Sequence, residues 1–103
     1  MLSPDTEMVE VERDGENFTF LVGGYSRTYQ FEGTPEEFAT ACGAVLFRDV
    51  HGSELTAIRR ETSRLAREGT DIGSALQRYD ELMGICHSYE REAAEGVRLL
   101  LEE

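Results

Sequence analysis

Two glycine-bearing dipeptides, Asp14-Gly15 and Gly23-Gly24, interrupt a stretch in which apolar and polar residues alternate, and each is a strong signal for a two-residue β-hairpin loop. The spacing predicts three antiparallel strands at about 8–13, 16–22 and 25–31, connected as a meander. A loop at 14–15 sets Val11 opposite Phe18 and Val9 opposite Phe20. A loop at 23–24 sets Val22 opposite Tyr25 and Phe18 opposite Tyr29. One sheet face then gathers Val9, Val11, Phe18, Phe20, Val22, Tyr25, Tyr29 and Phe31, and the other Glu10, Glu12, Thr19, Ser26, Thr28 and Gln30. A slip of one residue would mix the two sets. The first face calls for covering helices, the second for water or a partner.

Past the strands the period changes. Thr34-Pro35-Glu36-Glu37 reads as a helix start, with Thr34 as cap, Pro35 in the first turn and Glu37 closing a capping box. A first helix at 35–48 carries the stripe Phe38, Ala41, Cys42 and Val45. Residues 49–53 read as a link with Ser53 as the next cap. A second helix at 54–68 shows Leu55, Ile58, Thr62 and Leu65 on one side and Arg60, Arg64 and Arg67 on the other, and stops at Gly69. A third runs from about 71 to 101, with Ile72, Leu76, Tyr79, Met83, Cys86, Glu90, Ala93, Val97 and Leu100 spaced in alternating steps of four and three.

The expected fold is therefore α+β, a three-stranded antiparallel β-meander followed by three helices packed on one sheet face, the last helix long. Residues 1–7 are expected as a flexible tail and 8–103 as a single domain. An unbroken third helix would be about 45 Å long, against about 22 Å for the second and about 20 Å for a strand. Either Gly84 or Gly96 breaks it so that it folds back, or its distal half, through Met83, Glu90, Val97 and Leu100, contacts a second copy or another protein; the second reading is preferred, because a glycine inside a helix costs only about 1 kcal/mol relative to alanine.

Charge limits the partners. The chain carries 21 acidic and 10 basic residues, a formal net charge of -11, and its basic residues are all arginine. Such a field opposes direct contact with nucleic acid phosphates and with anionic membranes, and favours a basic protein partner. A high-salt host or a GC-rich genome would produce the same bias without any binding role. The N-terminal residues lack the basic start and apolar run of a signal peptide, and two isolated cysteines make no disulfide framework, so the cytoplasm is the expected compartment, that of a host if the protein is viral.

Little in the chain suggests catalysis. Cys86-His87, Cys42 and His51 are the only residues with soft-metal or thiol chemistry, and they lack the close pairing of metal ligands. No glycine-rich loop precedes a helix in phosphate-binding form, and no nucleophile motif is present. The expectation is no catalytic residue, no metal and no cofactor.

The carboxylates Glu7, Glu10, Glu12, Asp14, Glu16, Glu32, Glu36 and Glu37 form the constellation that suggests a role. They predict a non-catalytic protein-binding module, an inhibitor docking on a basic, nucleic-acid-binding surface of its partner. In size, charge and general layout the chain resembles small acidic viral inhibitors of host defence, anti-CRISPR proteins among them, without sharing a residue motif. The alternative is a structural or assembly protein, such as a virion component, that oligomerises through the long C-terminal helix.

Overall fold

A computed structural model of the protein describes residues 8–102. Three strands, β1 (Glu10–Asp14), β2 (Asn17–Val22) and β3 (Tyr25–Gln30), form one antiparallel sheet in the order β1-β2-β3. Two helices follow, α1 (Pro35–Glu68) and α2 (Gly73–Leu101). The α+β class and the meander match the sequence expectation; the three helices do not, because the first two are one. The expected tail at 1–7, with Glu7, lies outside the described residues.

The second hairpin has the register read from sequence, with Val22 opposite Tyr25 and Phe18 opposite Tyr29. Gly23 and Gly24 both take positive φ, 55° and 78°, as a type I′ turn requires. The first hairpin differs. Its loop is Gly15-Glu16, so Val11 faces Phe20 and Arg13 faces Phe18. A type I′ turn at 14–15 would force Asp14 to positive φ; placing Gly15 first in the loop, at φ 63°, confines that conformation to the glycine and fits a type II′ turn. Moving a two-residue loop by one position shifts the pairing by two, so every side chain keeps its face.

The inner face of the sheet supplies Val9, Phe18, Phe20 and Val22 to the core. Phe38 of α1 is the hub of the aromatic packing, with its ring centroid 5.5 Å from Phe18, 5.7 Å from Phe20 and 5.3 Å from Phe31. Two arginines interrupt the apolar alternation on this face, and both reach helices: Arg13 to the Leu100 carbonyl at 3.3 Å, and Arg27 to Asp49, with Nε 2.5 Å from Oδ2.

Helix α1 begins as the sequence implies. Thr34 Oγ1 accepts the Glu37 amide at 3.2 Å and Pro35 opens the first turn. The reciprocal half of the capping box is absent among the described residues, and the Glu37 carboxylate lies beside Gly33 instead. Thr34→Ala is expected to cost about 1 kcal/mol, read as a melting temperature lower by roughly 4–8 °C. At the far end, Gly69 at φ 72° donates to the Ala66 carbonyl and Thr70 to the Leu65 carbonyl, the paired bonds of a Schellman motif.

The expected link at 49–53 is helical, and Ser53 is not a cap. His51 is the reason. It is 6% exposed, its Nε2 lies 3.3 Å from the Tyr89 hydroxyl of α2, and its ring tilts on Phe47 at 5.3 Å. With His51 as an inward position, the buried stripe runs unbroken through Phe47, His51 and Leu55. Gly52 inside the helix costs only about 1 kcal/mol relative to alanine, less than the burial on either side of it contributes.

Helix α2 returns antiparallel to α1, its first turn steadied by the Asp71 carboxylate accepting the Gly73 amide at 2.9 Å. Neither Gly84 nor Gly96 breaks it. At 1.5 Å per residue α1 is about 51 Å long and α2 about 44 Å, so the mismatch that suggested an external contact for α2 is gone. The C-terminal half of α2 lies along β1. Its Glu92 accepts the Val9 amide at 2.7 Å, and Gly96 passes so close to Val11 that an added Cβ would fall 2.6 Å from Cγ2.

Candidate protein-binding surface

Glu10, Glu12 and Asp14 alternate with Val11 and Arg13 along β1, so they occupy one row on the outer sheet face, successive carboxylates about 6.7 Å apart along the strand. Across that face the same register sets Glu12 beside Thr19 and Thr28, whose hydroxyls are 2.8 Å apart, and Asp14 beside Asn17 and Gln30. The acidity is confined to β1, because β3 contributes no carboxylate.

A second group gathers at one end of the sheet. Phe31 donates its amide to the Glu16 carbonyl at 3.1 Å, which brings the first hairpin loop beside the segment leading into α1. Asp14, Glu16 and Glu32 therefore share this end, and Glu36 and Glu37 follow on the first turn of α1. The acidic set read from sequence, Glu7 excepted, thus forms one row and one end cluster that meet at Asp14.

All seven of these described carboxylates are exposed, and none makes an ion pair among the described residues. The helices behave differently. Glu61 and Glu68 flank Arg64, Glu95 and Glu102 flank Arg98, Glu54 and Glu81 both meet Arg78, and Asp49 holds Arg27. Each exposed pair adds little stability, but together they neutralise much of the helical surface and leave uncompensated charge at the sheet. Structural roles act on the same residues: acids on an outer strand resist edge pairing, and Glu36 and Glu37 suit the positive end of α1.

The residues expected to carry a contact on α2 point elsewhere. Val97 is fully buried in the core, and Met83 and Leu100 are partly buried against it. Glu90 is half-covered, with Cys86 Sγ 3.7 Å from one carboxylate oxygen and His87 Nδ1 3.6 Å from the other.

Burial pushes the thiols of Cys42 and Cys86 up to about 11, Glu90 adding to the effect at Cys86, so both remain protonated and weakly nucleophilic at neutral pH. Among the described residues no group of three or more His, Cys, Asp or Glu is arranged to hold a metal ion, and no helix is long and apolar enough to cross a membrane. Comparison with protein-family models, curated proteins and solved structures gives no match.

Proposed function

We propose that this protein is a non-catalytic binding module that docks, through the carboxylates of its sheet and sheet end, on a basic nucleic-acid-binding surface of a partner protein, as an inhibitor would. The supporting observation is the unequal pairing of charge: Asp49, Glu54, Glu61, Glu68, Glu81, Glu95 and Glu102 each meet an arginine, whereas Glu10, Glu12, Asp14, Glu16, Glu32, Glu36 and Glu37 are left for solvent or a partner. Exposed, unpaired charge of one sign steers association with a surface of the other sign, an effect that weakens as salt rises. The row on β1 and the end cluster provide two directions of contact that meet at Asp14.

The test compares two variants of equal net charge. One reverses Glu10, Glu12 and Glu16 to lysine; the other reverses Glu61, Glu81 and Glu95, which are ion-paired on the helices. A tagged bait is incubated with host lysate at low and moderate salt, and retained proteins are identified by mass spectrometry. The expected result is a basic protein retained by the wild type, released by added duplex DNA, held at least tenfold less well by the sheet variant and nearly unchanged by the helix variant. Equal losses in both would reduce the effect to net charge, and retention indifferent to the sheet variant would refute the docking surface.

A further inference from the structure

The two edges of the sheet are built differently. Beside β1, Glu92 of α2 takes the amide of Val9, just ahead of the strand, and Gly96 lies against the Val11 side chain, and the strand carries Glu10, Glu12 and Asp14. Covering and charging an edge are the usual ways of preventing a second strand from joining it. Strand β3 has no carboxylate, and its one charged residue, Arg27, is held by Asp49 on the inner face. In its two-residue hairpin the closing pair Val22–Tyr25 is hydrogen-bonded, and Phe31 bonds Glu16, so Tyr25, Arg27 and Tyr29 turn their backbone groups towards β2. The amides and carbonyls of Ser26, Thr28 and Gln30 therefore point outward, and none bonds another described residue. Every residue of β3 except Tyr29 is exposed, and none is acidic.

Beside this edge, on the helix side, lies an open cavity of about 300 Å³ lined by Tyr29, Phe38, Ala41, Cys42 and Val45 with Gln30 and Glu32 at its rim. The Tyr29 hydroxyl is buried without a hydrogen-bond partner.

We infer that β3 pairs with β3 of a second copy, antiparallel and centred on Thr28, to give a six-stranded sheet. Centring on Thr28 matches the outward groups of Thr28 with themselves and those of Ser26 with Gln30, about six main-chain hydrogen bonds. On the inner face each Arg27, held by Asp49 of its own chain, comes opposite the other copy's Tyr29. Side chains opposite each other in a sheet share a face, so the two apolar grooves open towards each other beneath the joined edges. The nearest acidic rows, on β1, lie two strands in from each joined edge, about 10 Å, which is about one Debye length at ordinary salt. At this edge two copies of net charge -11 approach without opposing carboxylate rows. This pairing leaves the outer face open, so it stands whether or not that face binds a partner.

Sedimentation velocity from 1 to 100 µM, with amide hydrogen exchange on the same samples, tests it. The wild type is expected to reach twice the 11.6 kDa of one chain, with the amides of residues 26, 28 and 30 gaining protection as concentration rises. Thr28→Pro removes the central outward amide, which β2 does not use, and is expected to raise the dissociation constant at least tenfold while leaving the circular dichroism spectrum unchanged. Should that variant fold poorly, Ser26→Lys places a charge at the joined edge and is expected to have the same effect. A monomer at 100 µM, a dimer in which those three amides exchange freely, or a dimer unaffected by a folded edge variant would each overturn the inference.

Discussion

Replacing Tyr89 with alanine is expected to lower stability by about 4 kcal/mol, the upper range for removing a large buried aromatic ring. Tyr89 is 1% exposed at the centre of the helix pair, its ring 6.2 Å from Phe47 and its hydroxyl 3.3 Å from His51 Nε2. Alanine would remove the ring from both helices and take from a buried imidazole its partner on α2. Tyr89→Phe keeps the ring and is expected to cost about 1 kcal/mol, the usual net contribution of one hydrogen bond. Glu90→Ala, one residue along, is expected to change stability by less than about 1 kcal/mol, because Glu90 faces half-outward beside His87. Urea unfolding curves of the three variants at constant slope measure these differences. Similar costs at 89 and 90 would mean that α2 is rotated about its axis from the orientation described here.

That rotation is where the sequence pattern misled. A single seam through Met83 and Glu90 assumes that α2 has one partner. It has two, α1 on one side and β1 on the other, and its buried positions Leu82, Tyr89, Ala93 and Val97 spread over a wider arc than a coiled-coil seam. Continuity of α1 was obscured by chemistry: Gly52 and Ser53 look like punctuation, and histidine is not counted as a core residue unless its partner is known. Tyr89 is 38 positions away in the chain, so no local window contains the bond that turns His51 inward. The strands were legible because both hairpins are local and alternation assigns faces even when the loop moves by one residue.

The acidic surface was partly legible for the same reason. Period two places Glu10, Glu12 and Asp14 on one face, and helical spacing pairs Arg64 with Glu61 and Glu68, or Arg98 with Glu95 and Glu102. The pairs Arg27–Asp49 and Arg78–Glu54 join separate elements and appear only once the chain is folded. So does the contrast between sheet edges. A meander reveals that β1 and β3 are the outer strands, but only the course of α2 decides which edge is closed.

The same substitution at two glycines is expected to act with opposite signs. Gly43 of α1 is buried where α2 crosses it, and a Cβ there would lie 2.8 Å from Glu90 Cα, 2.9 Å from Glu90 N and 3.1 Å from the Tyr89 carbonyl carbon. These are backbone atoms, so no rotamer change relieves the contact and the helices must separate along much of their interface. Overpacking of this kind costs about 3 kcal/mol, and the better helix propensity of alanine offsets only about 1 kcal/mol of it. Gly84 of α2 is exposed with nothing within 4 Å of an added Cβ, and Gly84→Ala gains that propensity unopposed. Thermal melts are therefore expected to fall by roughly 8–16 °C for Gly43→Ala and to rise by about 4–8 °C for Gly84→Ala. Stabilisation by both would place α1 and α2 farther apart at Gly43 than the close crossing requires; destabilisation by Gly84→Ala would place a neighbour against the outer face of α2 and reopen that helix as a contact surface.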